Sequence, residues 1–260
     1  MRFNLKVLGS GITAPFGSRL PAGYLVTADT TRILLECNPI TVGARLFVHP
    51  QFDITSISGI LITHAHNDHS GGETAFLEAF RTQHKILDKQ LPPFTLCGPS
   101  EKYFRKYLAE RLSWHWPELD EKDHFWTIPD TNRFQLDDVC ITVFPINHAA
   151  EMPTVGYRIQ FGSKSLVYCG DFGTTQFQKA NTLDQWISNA DLLVLDCGAP
   201  TESPTHLTIE QGHIIKQRSL ARRLLATHIP AHHVENVHER IIALNDPDVI
   251  LAKDLMILDI

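Results

Sequence analysis

The sequence lacks any cysteine pattern that would cross-link the chain or hold a structural zinc ion. Its five cysteines are scattered and include no Cys-x-x-Cys pair: Cys37, Cys97, Cys140, Cys169 and Cys197. An odd number of widely spaced cysteines argues against a disulfide framework and against a zinc knuckle. We therefore expect reduced, mostly buried thiols in a cytoplasmic protein.

Long apolar runs and an excess of positive charge are also missing. No stretch approaches the roughly 20 apolar residues that span a bilayer as a helix, and residues 1–11 lack the apolar region of a secretory signal. The formal net charge is -6, whereas nucleic-acid-binding surfaces are broadly basic. These absences predict no membrane segment and argue against a nucleic-acid partner.

No repeat, low-complexity tract or linker divides the chain, so one domain over residues 1–260 is the simplest interpretation. Short apolar runs rich in β-branched residues predict strands in two blocks, at 3–9, 23–27, 32–37 and 59–63, then at 140–146, 155–161, 165–170, 192–196 and 224–228. Helical patterns follow each block, at 73–85 and 100–114, then at 182–189, 208–220 and 233–244. This order predicts an α/β fold in which two sheets pack face to face with helices outside.

The stretch LITHAHNDHSGG (61–72) places His64, His66, Asp68 and His69 on a loop directly after an apolar strand. Imidazole nitrogens and carboxylate oxygens are ligands of zinc and similar ions, and His-x-His directs two imidazoles to one side of an extended segment. Asp68 and His69 are adjacent and point in different directions, so the spacing suits two neighbouring ions. A lone histidine usually lies on the surface or in the core, but four ligand-type residues together indicate metal.

Further candidate ligands follow other predicted strands. His148 comes after CITVFPI, Asp171 after SLVYCG, and His228 ends LLATH. Each alone would be an ordinary turn or surface residue. Their joint occurrence at the carboxyl ends of strands predicts that they complete the metal site.

At these residues the sequence resembles the metallo-β-lactamase-fold hydrolases, whose signature H-x-H-x-D-H appears as HAHNDH. The resemblance covers nearly the whole chain, including LGSGITAPFGSRLPAGYLV, RILLECNP and the closing LAKDLMILDI. It implies a four-layer αββα sandwich with the site at one edge. Relatives are often dimers, which makes a homodimer possible by analogy.

The resemblance also implies a ligand set for two divalent ions, with Zn²⁺ favoured and Mn²⁺ as the alternative. One ion would be bound by His64, His66 and His148, the second by Asp68, His69 and His228, and Asp171 would bridge them. A water shared by two such ions is acidic enough to supply hydroxide near neutral pH. The implied reaction is attack of this hydroxide on a phosphodiester, and Asp68 is both a ligand and a catalytic residue.

The stretch PTHLT (204–208) resembles the H-x-T/S motif of the phosphodiesterase branch, which includes ribonuclease Z. In that branch the histidine lies beside the metals and is paired with an acidic residue. The resemblance assigns these catalytic roles to His206 and Asp196. The alternative is purely structural, with His206 ahead of Thr208, which would cap a helix that starts at Ile209.

The layout is most similar to the compact phosphoribosyl cyclic phosphodiesterases, which implies a small phosphodiester substrate. The arm with which ribonuclease Z grips transfer RNA usually lies between the third histidine motif and the bridging aspartate, but Asp171 follows His148 by only 23 positions. The sequence also departs from the group. Its amino-terminal loop has no cysteine, Phe172 replaces a hydroxyl residue, and Glu36 and Asn38 stand where Asp and Gly are common.

Several residues are candidates for substrate binding. The loop Gly9-Ser10-Gly11 would offer backbone amides to an anion, although a glycine turn that serves only the fold explains it equally well. Arg19 would contact a phosphate, and Thr208 joins this group. Two rival functions remain open: hydrolysis of a carbonyl compound such as a lactone, thioester or β-lactam by the same metals, and a non-catalytic metal-binding carrier.

Overall fold

The computed structural model describes residues 2–13, 19–48, 52–99, 132–149, 152–173 and 183–260. The predicted helix at 100–114 lies outside these residues. The described part of the first sheet comprises β1 (Phe3–Gly9), β2 (Gly23–Ala28), β3 (Thr31–Leu35), β4 (Gly59–Leu61), β5 (Thr95–Cys97) and β13 (Ile257–Asp259). Its order is β13-β1-β2-β3-β4-β5, antiparallel from β13 to β3 and parallel from β3 to β5.

The second sheet comprises, in its described part, β6 (Arg133–Leu136), β7 (Val139–Ile146), β8 (Thr154–Phe161), β9 (Lys164–Tyr168), β10 (Leu192–Asp196), β11 (Arg223–Thr227) and β12 (Val249–Leu251). Its order is β12-β11-β10-β9-β8-β7-β6. The strands from β9 to β12 are parallel and those from β6 to β9 are antiparallel. The carboxyl ends of β9, β10 and β11 therefore meet at one edge.

The described helices are α1 (Pro39–Thr41), α2 (Glu73–Ile86), α3 (Asp184–Ile187), α4 (Ile209–Ser219) and α5 (Val234–Leu244). A π-helical segment, Val42–Phe47, continues α1, and single 3₁₀ turns lie at Ile54–Ser56 and Ala231–His233. The predicted helices at 73–85, 208–220 and 233–244 are confirmed, whereas α3 is shorter than the predicted 182–189. Within the described ranges, no helix combines the length and the apolar character needed to cross a bilayer.

The two sheets share one buried core, and helices cover their outer faces. Along β10, Leu192 and Val194 point into the core between the sheets, while Leu193 and Leu195 point to the helix side. This burial of both faces explains why the strand is a continuous apolar run. On the first sheet, Phe76 of α2 packs in the outer core. The predicted four-layer αββα sandwich is confirmed.

Several strands end at residues with left-handed backbone. Glu36 has a φ of 64°, so β3 ends at Leu35 and not at residue 37 as predicted. Gly170 after β9 has a φ of 60°, and His228 after β11 has a φ of 57°. Such a conformation is uncommon for residues other than glycine and turns the chain out of the sheet. His228 is itself a predicted ligand, and Gly170 directly precedes the predicted ligand Asp171.

Candidate metal centre

The HAHNDH loop follows β4, and its carboxyl-terminal end is bonded to the segment after β3. The backbone N–H groups of His69 and Ser70 donate to the His66 carbonyl oxygen, which closes a tight turn. The Cys37 N–H donates to the His69 carbonyl oxygen at 2.7 Å, and the Gly72 N–H donates to the Cys37 carbonyl oxygen at 2.7 Å. These bonds hold the loop against the segment that follows β3, with the side chains of the loop directed toward the second sheet.

Four predicted ligands converge in a first group formed by His64, His66, His148 and Asp171. His66 Nδ1 lies 2.9 Å from His64 Nε2 and 3.3 Å from His148 Nε2. Asp171 Oδ2 lies 3.5 Å from His148 Nε2 and 3.8 Å from His64 Nε2. The group thus presents three imidazole nitrogens and one carboxylate oxygen to a common centre.

A second group is formed by Asp68, His69 and His228. His228 Nε2 lies 3.2 Å from Asp68 Oδ2 and 3.4 Å from His69 Nε2. The other oxygen of Asp171, Oδ1, lies 3.2 Å from His69 Nε2 and 3.4 Å from His228 Nε2. Asp171 therefore faces both groups, one oxygen to each.

The chemistry of this donor set fits divalent ions. Five imidazoles and two carboxylates are brought together, and all except His66 are buried. Asp171 Oδ1 is buried and accepts no hydrogen bond of normal geometry from the described residues. An unsatisfied buried acceptor costs about 1–3 kcal/mol, and a cation held at these atoms would remove that cost. The residues present can hold two neighbouring ions of the zinc type.

Burial and mutual charge shift the ionisation of the cluster. Burial, together with the charge of His69, holds the pKa of His64 well below its usual value. Burial also lowers the pKa of His69, but the carboxylates of Asp171 and Glu36 outweigh it and raise that pKa to about 10. Burial would raise the pKa of Asp171, yet the neighbouring histidines, His228 first, hold it well below its ordinary value. Asp171 is therefore ionised, as a carboxylate that binds a metal ion would need to be.

Most of these imidazoles have a partner for the ring nitrogen that faces away from the cluster. His148 Nδ1 lies 2.9 Å from the Thr205 carbonyl oxygen, which can only accept. His64 Nδ1 lies 3.0 Å from Thr63 Oγ1. His69 Nδ1 lies 3.1 Å from Glu36 Oε1, a close charge contact without the alignment of a hydrogen bond. Such partners fix the proton on Nδ1 and leave the Nε2 lone pair for a metal ion. None of the three partner residues is a predicted site residue.

His206 and Asp196 form a close pair at the edge of the cluster. His206 Nδ1 lies 2.6 Å from Asp196 Oδ2, and Asp196 is fully buried whereas the His206 side chain is 32% exposed. The His206 ring stacks on the His228 ring with centroids 5.4 Å apart. Burial lowers the pKa of His206, but the hydrogen bond and charge of Asp196 outweigh it and raise that pKa. The predicted pairing is present, with one imidazole face open to solvent.

The predicted substrate loop is bonded into the protein. Ser10 N and Oγ both donate to Asp254 Oδ1, at 3.0 and 2.6 Å, and Gly11 N donates to the Leu20 carbonyl oxygen. The Ser10 carbonyl oxygen accepts from Arg19 Nη2 at 3.0 Å, and the Arg19 side chain is buried. The structure thus gives the Ser10 and Gly11 amides and Arg19 partners inside the protein, and their contact with substrate stays a prediction.

Thr208, a predicted site residue, and Asn38, which departs from the family pattern, also have hydrogen-bond partners inside the protein. The Thr208 hydroxyl accepts from Gln211 N, and the Gln211 side chain accepts from Thr208 N, so Thr208 caps α4 as the structural alternative predicts. Asn38 caps α1 by accepting from Thr41 N. Phe172 is buried among apolar side chains in the outer core of the second sheet.

The chain is similar to one protein-family model, to curated ribonucleases and to several solved structures. Residues 31–229 match the model of the Beta-lactamase superfamily domain. Ribonuclease Z of Mycobacterium bovis is 27% identical over 201 residues, which cover 73% of this chain and 68% of that protein. The metallo-β-lactamase fold protein YhfI from Bacillus subtilis superposes with a TM-score of 0.79 at 20% identity over 100% of both chains. A diphosphatase from the PhnP family gives a TM-score of 0.70 at 20% identity, over 100% of this chain and 98% of its own.

Proposed function

This chain belongs to the β-lactamase superfamily, and from that premise we propose that it is a metal-dependent phosphodiesterase that cleaves a small phosphodiester. The observation that carries the proposal is the His206–Asp196 pair, 2.6 Å apart, at the edge of the histidine–aspartate cluster. A proton donor in this place suits a leaving oxygen on phosphorus. Similarity to a ribonuclease and to a diphosphatase, whose names both denote cleavage at phosphorus, supports this choice.

The first group and the second group each bind one divalent ion in this proposal, and Asp171 is shared between them. Zn²⁺ suits the imidazole-rich set best, with Mn²⁺ as the alternative. When bound, the ions supply positive charge for the phosphoryl oxygens and a water that is acidic enough to act as nucleophile at neutral pH. Asp68 holds its place in the second group through the 3.2 Å approach of its Oδ2 to His228 Nε2.

His206 acts as the general acid. Its Nδ1 is engaged by Asp196, so the Nε2–H is the proton available to a leaving alkoxide. Asp196 orients the ring and stabilises its charged form, since the carboxylate raises the pKa of His206. Asp196 is itself held by the Gly198 N–H, which donates to Oδ1 at 3.0 Å. These contacts keep a protonated imidazole at the edge of the cluster, where its Nδ1 lies 3.9 Å from Asp171 Oδ2.

The short chain segment between His148 and Asp171 supports a small substrate. The described residues of this interval form the hairpin of β8 and β9, joined at residues 162 and 163. The hairpin takes up the interval in which ribonuclease Z usually carries its arm. RNA is the second candidate substrate, because the sequence is similar to ribonuclease Z. A homodimer remains a prediction by analogy, which light scattering tests.

The test is hydrolysis of bis(p-nitrophenyl) phosphate by purified protein, with chelator and after Zn²⁺ or Mn²⁺ is restored. Metal-dependent turnover is expected, with cyclic phosphodiesters and a precursor transfer RNA compared next under the same conditions. His206→Gln should lose most of the turnover of the cyclic phosphodiesters, whose alkoxide leaving group needs a proton, and little of the turnover of bis(p-nitrophenyl) phosphate. The matched control is His213→Gln, because His213 also pairs with a carboxylate, that of Asp246, and neither residue belongs to the cluster. A metal-loaded protein that is inactive on every phosphodiester but active on lactones or thioesters would refute the proposal.

A further inference from the structure

Glu36 is a buried carboxylate at the seam between the two sheets. Glu36 is 1% exposed, and its left-handed backbone turns the chain away from β3. Glu36 Oε1 accepts a hydrogen bond of 2.8 Å from the hydroxyl of Tyr168, which lies on β9 of the second sheet. Glu36 also accepts from Thr63 twice, at Oε2 from the backbone N–H and at Oε1 from the hydroxyl, at 3.1 and 2.6 Å. An isolated buried carboxylate is costly, so these donors stabilise its charge.

The same carboxylate touches the second group of the metal centre. Glu36 Oε1 lies 3.1 Å from His69 Nδ1, on the side of the ring opposite to the cluster. His69 Nε2 lies 3.2 Å from Asp171 Oδ1. The contact lacks the alignment of a hydrogen bond, but a carboxylate this close to Nδ1 favours a proton on that nitrogen and leaves Nε2 as the donor atom for a metal ion. Glu36 therefore sets the ligand atom of His69 directly.

Glu36 reaches the first group through a hydroxyl. The Thr63 hydroxyl has one proton, which it donates to Glu36 Oε1. Its oxygen can then only accept from His64 Nδ1, 3.0 Å away, so that the imidazole proton is fixed on Nδ1. His64 Nε2 is left free to face His66 and Asp171. One carboxylate thus specifies the tautomer of one histidine in each group.

We propose that Glu36 is a positioning residue for both halves of the metal centre, acting directly on His69 and through Thr63 on His64. Tyr168 holds the carboxylate in place from the second sheet. The inference rests on the metal-binding part of the proposed function and not on the nature of the substrate. It also gives a reason for the departure from aspartate at this position, because the extra methylene of glutamate lets one carboxylate touch Tyr168, Thr63 and His69 together.

The test is titration of the metal-stripped protein with Co²⁺, followed by visible absorption, and with Zn²⁺ by calorimetry. Wild type should bind two ions. Glu36→Gln keeps the shape of the side chain but not its charge, and both binding events should weaken, by about 10- to 100-fold. Thr63→Val keeps the volume and removes the relay to His64, while Glu36 keeps its bonds from the Thr63 N–H and the Tyr168 hydroxyl. The binding event at His64 should therefore weaken more than the event at His69. A variant that merely loosened the fold would not separate the two events.

The matched control is Tyr157→Phe. Tyr157 is fully buried like Tyr168, but its hydroxyl donates to the Ile62 carbonyl oxygen and not to Glu36. Tyr168→Phe should alter the cobalt spectrum, whereas Tyr157→Phe should not. The inference is overturned if Glu36→Gln binds two ions with the same affinity as the wild type. If Glu36→Gln does not fold, wild-type affinity for both ions in Thr63→Val overturns it instead. If wild type itself takes up no ions, the proposed metal centre fails and the inference fails with it.

Discussion

Replacing Asp196 by Asn tests the proton donor in the proposed reaction. The carboxylate is fully buried and lies 2.6 Å from His206 Nδ1, so Asn keeps the shape and removes the charge that favours the imidazolium. General acid catalysis contributes roughly 10²–10⁴-fold to a rate. Because Asn can still accept one hydrogen bond from Nδ1–H, we expect the lower end, a fall in kcat of about 100-fold, or about 2.7 kcal/mol in the barrier.

The size of the loss should depend on the leaving group. Nitrophenolate departs without a proton, so Asp196→Asn should lower kcat for the hydrolysis of bis(p-nitrophenyl) phosphate only slightly. A cyclic nucleotide, whose leaving group is a ribose alkoxide, should show the full loss, because the proton from His206 is needed there. The assay is kcat on both substrates, measured at saturating metal for wild type and variant.

Two controls separate proton donation from metal loss. Asp196 Oδ1 lies 3.6 Å from His228 Nδ1, so the zinc content of the variant must be measured alongside kcat. Asp246→Asn removes a carboxylate from the His213 pair and should leave both rates unchanged. Equal losses on the two substrates, in a variant that still binds two ions, would refute the role of His206 as general acid.

Three further variants test other parts of the structure. Asp68→Ala should abolish turnover and lower the bound zinc from two ions to one by elemental analysis, and two retained ions would contradict the ligand assignment. Gly198→Ala places a methyl carbon 2.0 Å from the His228 carbonyl oxygen, so the backbone must shift, and we expect about 1–3 kcal/mol lower stability and weaker zinc binding by calorimetry. Burial would raise the pKa of Asp246, but the hydrogen bond from Lys216, 2.7 Å long, helps to lower it below 3.8. Ionised Asp246 therefore stabilises the folded protein above pH 3.8, and this stabilisation is lost as the pH falls through the pKa of Asp246 in the folded state. Urea unfolding should show Asp246→Asn less stable than wild type by up to about 1 kcal/mol at neutral pH and equal to it in strong acid.

The sequence predicts the fold and the cluster well because both depend on local patterns. Apolar runs mark the strands, and ligand-type residues that directly follow them converge wherever the carboxyl ends of the strands meet. His64, His148 and Asp171 are found in this way, although they lie on different elements. The Asp196–His206 pair follows from a short motif whose two parts are ten positions apart.

Contacts that join distant parts of the chain around the site escape prediction because no local pattern marks them. Glu36 and Tyr168 are 132 positions apart, and Ser10 and Asp254 are 244 apart. Only the packing of the two sheets, and the closing strand on β1, brings them together. In the sequence Glu36 stands out only as a departure from aspartate, and its left-handed backbone, which shortens β3, leaves no local pattern.

Each group of the candidate metal centre draws its members from both sheets. In the first group, His64 follows β4 of the first sheet, while His148 and Asp171 follow strands of the second. In the second group, His69 lies on the loop of the first sheet and His228 follows β11 of the second. An ion bound to either group therefore joins the two sheets, and its binding free energy also stabilises their packing, by about 2.7 kcal/mol at a free concentration 100 times the Kd. Glu36 and Tyr168 also connect the two sheets beside this cluster, so the carboxylate that lies against His69 also helps to set the distance between the sheets that the ions would bridge.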